Sequence, residues 1–497
     1  MRTVHRPPEP ATSAASGLGT AHIVFLIVAA AAPLSAMVGT VPLAFAVGNG
    51  AGVPAAFVFA GVTLLCFSAG YAVMMRRTGG TGGFYTGVAQ GLGRPAAVAG
   101  GLLALLSYLC ATIGLAGAFA YFARLVLGLH GIDVRWEVCA ALGIAAVAAL
   151  GYREIAVSAR VLAVMMAGEI LVLLALDVAV LARHGVTALP AASFTPHEVF
   201  GPGLGVALMF AFVSFIGFES ASLYGKESRD PRRSVPRATY VAVVLISVFY
   251  ALTSWVAVGA VGPSRVRAVA GEQLGNLFFG LGADYLGQAG EVALEVLLCT
   301  SLFAATLALH SAGNRYVQAL AADGVLPAAL GVGHPRHGSP HRASVWQTVL
   351  AVVVTAAFAV EGLDPYADLA TSMLGLGTLG IIVLQALAAL SVLGLWRHRG
   401  GEHGLEERPG WWRGLVAPLL GFAGLATTVW LVVGNFALMT GSKSAVVGEL
   451  PWVLLVVGAA GLAYAAWLRG ARPARYLALA GMSAEPVVPA AARSIRA

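Results

Sequence analysis

The chain has 497 residues, of which 59% are hydrophobic and only 11% charged, and its mean hydropathy is +0.83. Soluble globular domains carry about 25% charged residues, so this composition excludes an ordinary soluble domain. Apolar runs of about 20 residues, the length that crosses a bilayer as an α-helix, recur along the sequence. The net charge of +7 comes from basic residues that stand singly or in short clusters beside these runs, so no nucleic-acid-binding patch is indicated.

Motifs of metal-dependent and hydrolytic enzymes are missing from the sequence. The four cysteines, at positions 66, 110, 139 and 299, lie in apolar runs without C-x-x-C spacing, which indicates neither a metal site nor a disulfide framework. There is no phosphate-binding G-x-x-x-x-G-K-[ST] loop, no H-E-x-x-H and no G-x-S-x-G. We therefore expect no enzyme, no ATP hydrolysis, no metal and no cofactor.

About twelve apolar runs are long enough to span a bilayer, which predicts an all-α integral membrane protein. With the N-terminus placed inside, 24 of the 30 Lys and Arg residues fall on the inner side of these spans. Basic residues accumulate on the cytoplasmic side of membrane proteins, so both termini are expected in the cytoplasm and the protein in the cell membrane. Residues 1–20 are expected to be a disordered cytoplasmic tail, and residues 470–497 a second cytoplasmic tail that is disordered after Arg472.

The sixth run, Gly203–Tyr224, begins as a membrane helix and then stops behaving like one. Gly217 and Glu219 fall in it at apparent bilayer depth. A glycine weakens a helix, and an ionisable side chain is costly in hydrocarbon, so a lipid-facing helix would keep neither. The pattern predicts a broken helix whose freed backbone groups face a ligand or a watery cavity.

The first run, His22–Val47, has the same irregularity. Pro33, Gly39 and Pro42 fall within ten residues, and a proline clashes with the carbonyl four residues before it. We therefore expect a break between Leu34 and Thr40. Interruptions at corresponding positions of two halves are typical of a transporter's binding site. The alternative is that both are Pro/Gly kinks used only for packing.

Two such breaks can hold the two charges of a zwitterion. Amides near Val38, Gly39 and Thr40 would bind a carboxylate at the start of a half-helix. Carbonyls freed at Ser35 and around Val213–Ile216 would bind an ammonium group. An α-amino acid presents both groups together.

Three motifs make the sequence resemble the amino acid–polyamine–organocation (APC) superfamily. They are SFIGFESAS at 214–222 with RDPRRSVP at 229–236, TGGTGGFY at 78–85, and NR at 314–315 with ADGVLP at 322–327. The family's span-one signature, Gly-Ser-Gly or Gly-Thr-Gly, appears here as MVG at 37–39, with only the last glycine kept. The resemblance implies amides of Val38 and Gly39 for the carboxylate, and carbonyls of Ser35, Val213 and Ile216 for the amine.

The resemblance also implies a LeuT-like fold in which two five-span repeats are inverted relative to each other. The repeats would occupy residues 21–185 and 200–396, with broken helices one and six, and two further helices would follow within 412–469. Tyr108 is a candidate wall of the pocket, and Phe215, Gly217 and Phe218 flank the break in span six. Packing is the alternative role of these aromatic rings.

Four residues are candidates for gating or coupling. Glu169 lies in the middle of span five, where some proton-coupled relatives carry a lysine, and a buried carboxylate in a span commonly marks an ion or proton route. Glu219 matches a glutamate that some exchangers of the family use near the substrate; a structural hydrogen bond to freed backbone is its alternative role. Thr306 and His310 share a face of span eight, with an interfacial position as the alternative for His310.

The sequence thus predicts a secondary transporter that imports an amino acid or related amine, driven by a proton, with sodium as the alternative ion. An exchanger and a non-transporting receptor of the same fold are the other candidate functions. The expected partners are the small-molecule substrate and the lipid bilayer, without nucleic acid. Neither the particular substrate nor the oligomeric state follows from the sequence.

The predicted topology can be tested by cysteine labelling in intact cells. On a background without the four native cysteines, Arg233→Cys and Arg399→Cys should be protected from a membrane-impermeant thiol reagent, because both positions belong to the inner, basic loops. Arg265→Cys, in a predicted outer loop, is the matched control and should be labelled. Labelling of both inner positions from outside would contradict the orientation.

Overall fold

The computed structural model describes residues 19–77, 83–153, 159–219, 228–397, 410–440 and 445–481. The elements of these ranges are helices, which confirms the expectation of an all-α integral membrane protein. Eleven helical stretches in these ranges are long and apolar enough to cross a membrane, and Leu204–Ser214 is a shorter apolar helix. The N-terminal residues 1–18, the glycine-rich turn 78–82 and the motif residues 220–222 lie outside the described residues.

The first predicted repeat contains seven helices of eight residues or more. In chain order they are α1 (Thr20–Ala31), α2 (Pro33–Val47), α3 (Val53–Arg77), α4 (Gly83–Leu92), α5 (Arg94–Leu129), α6 (Trp136–Arg153) and α7 (Ala159–His184).

The second predicted repeat begins with α8 (Leu204–Ser214), a short helix of 11 residues. It continues with α9 (Pro231–Val261), α10 (Val266–Gln273), α11 (Leu277–Ala322), α12 (His341–Val360), a π-helical turn (Pro365–Ala370) and α13 (Thr371–Arg397). The division into two repeats stays a prediction.

Four α-helices of five or more residues follow in the described part of the chain after the second predicted repeat: α14 (Ala417–Gly434), α15 (Phe436–Thr440), α16 (Leu450–Ala471) and α17 (Pro473–Ala478). The expectation of disorder after Arg472 is wrong for the described part of this tail. Arg94 donates to the Leu477 carbonyl at 2.9 Å, and the Ala480 amide donates to Asp323 at 2.8 Å. Ala480 is buried, so these bonds fasten the start of the tail to the helical bundle.

The break in span one lies earlier than the sequence predicts. Ala32 takes a left-handed conformation (φ 46°, ψ 73°) and separates α1 from α2, so the segment from Leu34 to Thr40 is continuous helix. The physical reason is Pro33, which has no N–H and a fixed φ, and therefore fits the first position of a helix better than its interior. Pro42 lies inside α2, which continues past it to Val47.

The two interrupted spans form the centre of the bundle. Every residue of α2 from Pro33 to Phe45 is buried, as is every residue of α8 from Gly205 to Ser214. The peripheral helices α7, α12 and α16 instead expose large apolar side chains such as Leu171, Val353 and Leu455. This distribution places apolar surface where a membrane protein meets lipid, and leaves the irregular backbone inside the protein.

Two carboxylates that the sequence places near the outer surface are also buried. Asp177 on α7 accepts a hydrogen bond from the Thr253 hydroxyl at 2.7 Å, and Glu295 on α11 is 2.9 Å from a ring nitrogen of His130. Asp177 lies nearer the outer end of span five, where a solvated side chain is expected, and its burial corrects that expectation. That Glu295 lies at or near the outer end of span eight stays a prediction; its partner His130 is half-exposed. Each carboxylate lies against a neighbouring helix that supplies a polar partner, as buried polar groups require.

Candidate functional site

The breaks in spans one and six are in direct contact. After α8, Phe215–Glu219 forms tight turns in which Gly217 has φ +110°, a conformation that L side chains rarely adopt. A Cβ atom at Gly217 would lie 2.7 Å from the Ala30 carbonyl oxygen, so the absence of a side chain permits the contact. The last turn of α1 therefore packs against the backbone of the second break.

Glu169 reaches from α7 to the start of α2. Its Oε2 accepts a hydrogen bond from the Leu34 amide at 3.3 Å, and its side chain is also hydrogen-bonded to Ser301 of α11. Ser301 in turn accepts a hydrogen bond from the Ser35 hydroxyl at 2.9 Å. A carboxylate at this position satisfies a first-turn amide and interacts favourably with the positive end of the helix.

The end of α1 is held by a different helix. The Tyr250 hydroxyl of α9 donates to the Ala31 carbonyl at 3.2 Å, and the Tyr250 ring lies 5.9 Å from the ring of Phe215. Tyr250 is fully buried. Its hydroxyl satisfies a carbonyl that the broken helix leaves without its usual backbone partner.

Glu219, like Glu169, accepts a hydrogen bond from a backbone amide at a break, but this amide belongs to its own segment. Its Oε2 accepts a hydrogen bond from the Gly217 amide at 3.0 Å, and its Oε1 accepts one from the Tyr108 hydroxyl at 3.0 Å. Tyr108 also stacks on Tyr316, with the ring centres 5.2 Å apart. The structure thus joins two predicted site residues, Tyr108 and Glu219, in one buried contact.

A small cavity lies between the two breaks. Its volume is about 40 Å³, enough for roughly three waters. Ten of its thirteen lining residues are Ala, Val, Leu or Ile, and the other three carry hydroxyls. The lining consists of Ala30, Ala31, Ala32, Ser35, Ala36, Thr40, Leu115, Val213, Ser214, Ile216, Ala305, Leu309 and Leu374.

Unused backbone groups belong to residues of this lining. Within the described part of the chain, the Ser35 amide donates no hydrogen bond, and the carbonyls of Ala30 and Ser214 accept none. The first is a donor at the start of α2, and the other two are acceptors at the ends of α1 and α8. The arrangement can bind an anionic and a cationic group of one small ligand.

The structure places four of the predicted binding residues, Ser35, Thr40, Val213 and Ile216, in the cavity wall. Thr40 and Ser214 bring their hydroxyl oxygens within 3.1 Å of each other across it, joining α2 to α8. Whether these residues bind substrate stays a prediction.

The expected roles of Val38 and Gly39 need correction. Both lie in the second turn of α2, beyond the first-turn amides that a helix leaves open, because α2 starts at Pro33. For the same reason the Ser35 carbonyl belongs to the body of a helix, and the open carbonyl of span one is that of Ala30. The Gly39 carbonyl accepts a hydrogen bond from the Tyr366 hydroxyl at 3.0 Å.

The remaining candidates lie beside the cavity and not in its wall. Phe215 packs against Tyr250, and Phe218 lies edge-on to Phe67 with ring centres 6.2 Å apart. The Thr306 hydroxyl donates to a carbonyl of its own helix.

His310 is buried rather than interfacial, since its ring contacts Ser344 of α12 at 2.9 Å and packs on Gly151 of α6. The gating roles of Thr306 and His310 stay predictions, but the structure gives both side chains partners away from the cavity.

Several residues of the site are not among the sequence-based candidates. Ser214 carries a hydroxyl in the quoted span-six motif, and this signal could have identified it. Leu115, Ala305 and Leu374 are ordinary apolar residues of long helices and carry no such signal. Tyr366, at the beginning of span ten, stacks on Tyr121 with ring centres 4.6 Å apart, and its hydroxyl bonds to the Gly39 carbonyl of α2.

A second aromatic cluster lies at the other break. Phe67 and Tyr71 of α3 stack with ring centres 5.4 Å apart, and Phe84 of α4 and Phe218 pack against Phe67. With Tyr366 and its neighbours near the middle of α2, aromatic rings lie on two sides of the broken helices. Both groups of rings pack against the interrupted spans, one at Phe218 and the other at the Gly39 carbonyl of α2.

Comparison with known proteins gives the family. A family model described as "Amino acid permease" matches residues 18–461. The chain belongs to the amino acid permease family. This result confirms the resemblance to the APC superfamily and the expectation that the chain is not an enzyme.

Individual relatives of the permease share a quarter to a third of their residues with it over the aligned parts. An uncharacterized transporter of Mycobacterium tuberculosis is 31% identical over 244 residues, which is 49% of this chain and 48% of the relative. The branched-chain amino acid permease BcaP of Bacillus subtilis is 25% identical over 368 residues, covering 69% of this chain and 74% of that protein. BcaP of Lactococcus lactis is 26% identical over 230 residues, covering 46% and 45%. The chain thus spans about half the length of the first of these relatives.

Two glycines give a matched test of the permease's site. Gly217→Ala should lower the melting temperature and weaken ligand binding, because the new Cβ meets the Ala30 carbonyl and the positive φ costs about 1–2 kcal/mol for an L residue. Gly39→Ala should leave both intact or raise the melting temperature. No neighbouring atom lies within 4 Å of its added Cβ, and alanine is favoured over glycine in a helix by about 1 kcal/mol.

The measurement is thermal unfolding of the purified variants in detergent, with and without added amino acid. Equal melting temperatures for the two variants, or a larger loss for Gly39→Ala, would contradict the assignment of the break contact to Gly217.

Proposed function

We propose that this permease is a secondary active transporter that imports a small apolar amino acid together with a proton across the cytoplasmic membrane. The single observation that carries the proposal is the apolar cavity between the two broken helices, whose lining residues include an unused amide and two unused carbonyls. The amide suits the substrate's carboxylate, and the carbonyls suit its ammonium group.

The lining supports an aliphatic substrate side chain. No charged side chain lines the cavity, and its polar groups are three hydroxyls, of which Thr40 and Ser214 bond to each other. A longer polar side chain would lose its water without gaining a matching partner. Two of the relatives are named as branched-chain amino acid permeases, which agrees with this substrate class.

The proton is assigned to Glu169. Burial in hydrocarbon penalises the charged form of a carboxyl group, and the described partners of Glu169 are the neutral groups of Leu34 and Ser301. Sodium is the second candidate ion, because carboxylate and hydroxyl oxygens are ligands that such a cation accepts. The excess of basic residues in alternate loops supports cytoplasmic termini. Import is the direction in which an inward proton gradient drives a symporter.

An exchanger is the second candidate function, and the contact between Glu219, Gly217 and Tyr108 favours it. A carboxylate fixed on the second break can stabilise one substrate-bound arrangement without carrying a proton across the membrane. Exchange would then require substrate on both sides and would not respond to an imposed gradient of protons.

Transport in proteoliposomes tests the proposal. Leucine, isoleucine, valine or alanine should accumulate when an inward proton gradient is imposed, and ATP should have no effect. Glu169→Gln removes the titrating group and should abolish accumulation while leaving one-for-one exchange of labelled substrate. Glu295→Gln, which changes a buried carboxylate remote from the cavity, is the matched control and should still accumulate substrate.

Accumulation by Glu169→Gln with the wild-type dependence on pH would contradict the assignment of the proton. Accumulation driven by a sodium gradient alone would replace the proton with sodium. Exchange without any gradient-driven accumulation in the wild type would favour the second candidate function.

A further inference from the structure

We propose that Glu169 is an internal competitor for the substrate's carboxylate at the start of α2. While ionised, Glu169 excludes an amino acid and favours an amine that lacks a carboxylate; when protonated, it admits the amino acid. The inference rests on the proposed function for the location of the substrate, and it assigns to Glu169 a role in choosing between two chemical classes of ligand.

The first step is a count of the donors at the start of α2. Pro33 has no N–H, and the Ala36 amide already donates to the Ala32 carbonyl at 3.0 Å. Leu34 and Ser35 therefore supply the first-turn amides left for an anion. Glu169 accepts from the Leu34 amide at 3.3 Å, and the Ser35 amide is unused within the described residues.

The second step concerns distance. Leu34 and Ser35 are consecutive residues of one helical turn, so a carboxylate on the Ser35 amide would lie next to the carboxylate on the Leu34 amide. Two carboxylates that share a site cannot both ionise readily, and one of them takes up a proton or leaves. A substrate carboxylate therefore binds either after Glu169 has been neutralised or not at all.

The third step is the charge around Glu169. The groups that face it are the Leu34 amide from α2, the Ser301 hydroxyl from α11 and the Tyr250 phenol from α9. None of them is basic, and no Lys or Arg is buried among the residues whose exposure the structure describes. Since no described basic group contacts Glu169, the neutralising positive charge in this proposal comes from outside the protein, as a proton or as a cationic ligand.

An amine without a carboxylate meets these conditions in a different way. Its ammonium group can bind the unused carbonyls of Ala30 and Ser214, and it leaves the Ser35 amide alone. Ionised Glu169, which is bonded to the neighbouring Leu34 amide, then supplies the negative charge that the carboxylate of an amino acid would have supplied. Protonation of Glu169 removes this attraction, so acid should weaken amine binding and strengthen amino acid binding.

Binding measurements on the purified, full-length protein separate these predictions. Leucine and isopentylamine form a matched pair, since they differ only in the carboxylate and keep their charges between about pH 5.5 and 8.5. We expect leucine to bind at least about tenfold more tightly at the acid end, and isopentylamine at least about tenfold more weakly. Valine with isobutylamine and alanine with ethylamine repeat the comparison for smaller side chains.

Variants identify the titrating group. Glu169→Gln should bind leucine with an affinity that no longer depends on pH and is close to the wild-type affinity in acid, and it should lose affinity for isopentylamine at the alkaline end. Glu169→Asp keeps a carboxyl group, so it should retain opposite pH dependences for the two ligands even if its affinities change. Glu295→Gln should behave as the wild type. Melting temperatures establish that each variant is folded.

Each outcome decides the inference. Leucine binding that is independent of pH in the wild type overturns it, as does an isopentylamine affinity that rises in acid. Failure of all three amino acids to bind in acid overturns it as well. If binding follows the prediction and proteoliposomes show no uptake, the competition stands and the proposed transport fails. If uptake occurs with no effect of pH on leucine binding, transport stands and the competition is wrong.

Discussion

The structure depends on satisfying backbone groups that two broken helices release inside an apolar bundle. In hydrocarbon each unpaired N–H or C=O costs several kcal/mol, so a break is tolerated only where protein or water supplies partners. Here Tyr250 donates to the end of α1, Glu169 accepts from the start of α2, and Glu219 accepts from Gly217. The few groups left unpaired at the cavity are then the groups a ligand can use.

Small side chains make this arrangement possible. Ala30 brings the backbone of span one against Gly217, where an added Cβ would meet the Ala30 carbonyl, and Ala31 and Ala32 line the cavity beside it. The same residues leave a cavity with room for only about three waters and an apolar wall. Contact between the breaks and the small size of the cavity therefore both depend on one stretch of sequence.

The sequence predicted the class of fold and the irregularity of span six for a clear physical reason. Gly217 and Glu219 are unfavourable in a lipid-facing helix, so their presence in an apolar run required an explanation. The predicted break in span one, between Leu34 and Thr40, lies too late in the chain, because it rests on the clash of Pro42 with the carbonyl four residues before it. The structure keeps this segment and Pro42 inside α2 and bends at Ala32, whose left-handed conformation has no signal in its residue type. Partners such as Tyr250 and Ser301 depend on how distant helices pack, which local patterns do not contain.

The two buried carboxylates at the breaks differ in a way that bears on coupling. Glu219 accepts one hydrogen bond from the amide of Gly217 in its own segment and one from Tyr108 of α5, so the first of these bonds does not depend on how distant helices pack. Glu169 comes from α7, and its partners Leu34 and Ser301 both belong to other helices. A relative movement of α2 and α7 would break the Glu169–Leu34 contact and leave the Glu219–Gly217 contact intact. A proton that neutralises Glu169 would therefore loosen the connection between two helices, which is the kind of change an alternating-access mechanism requires.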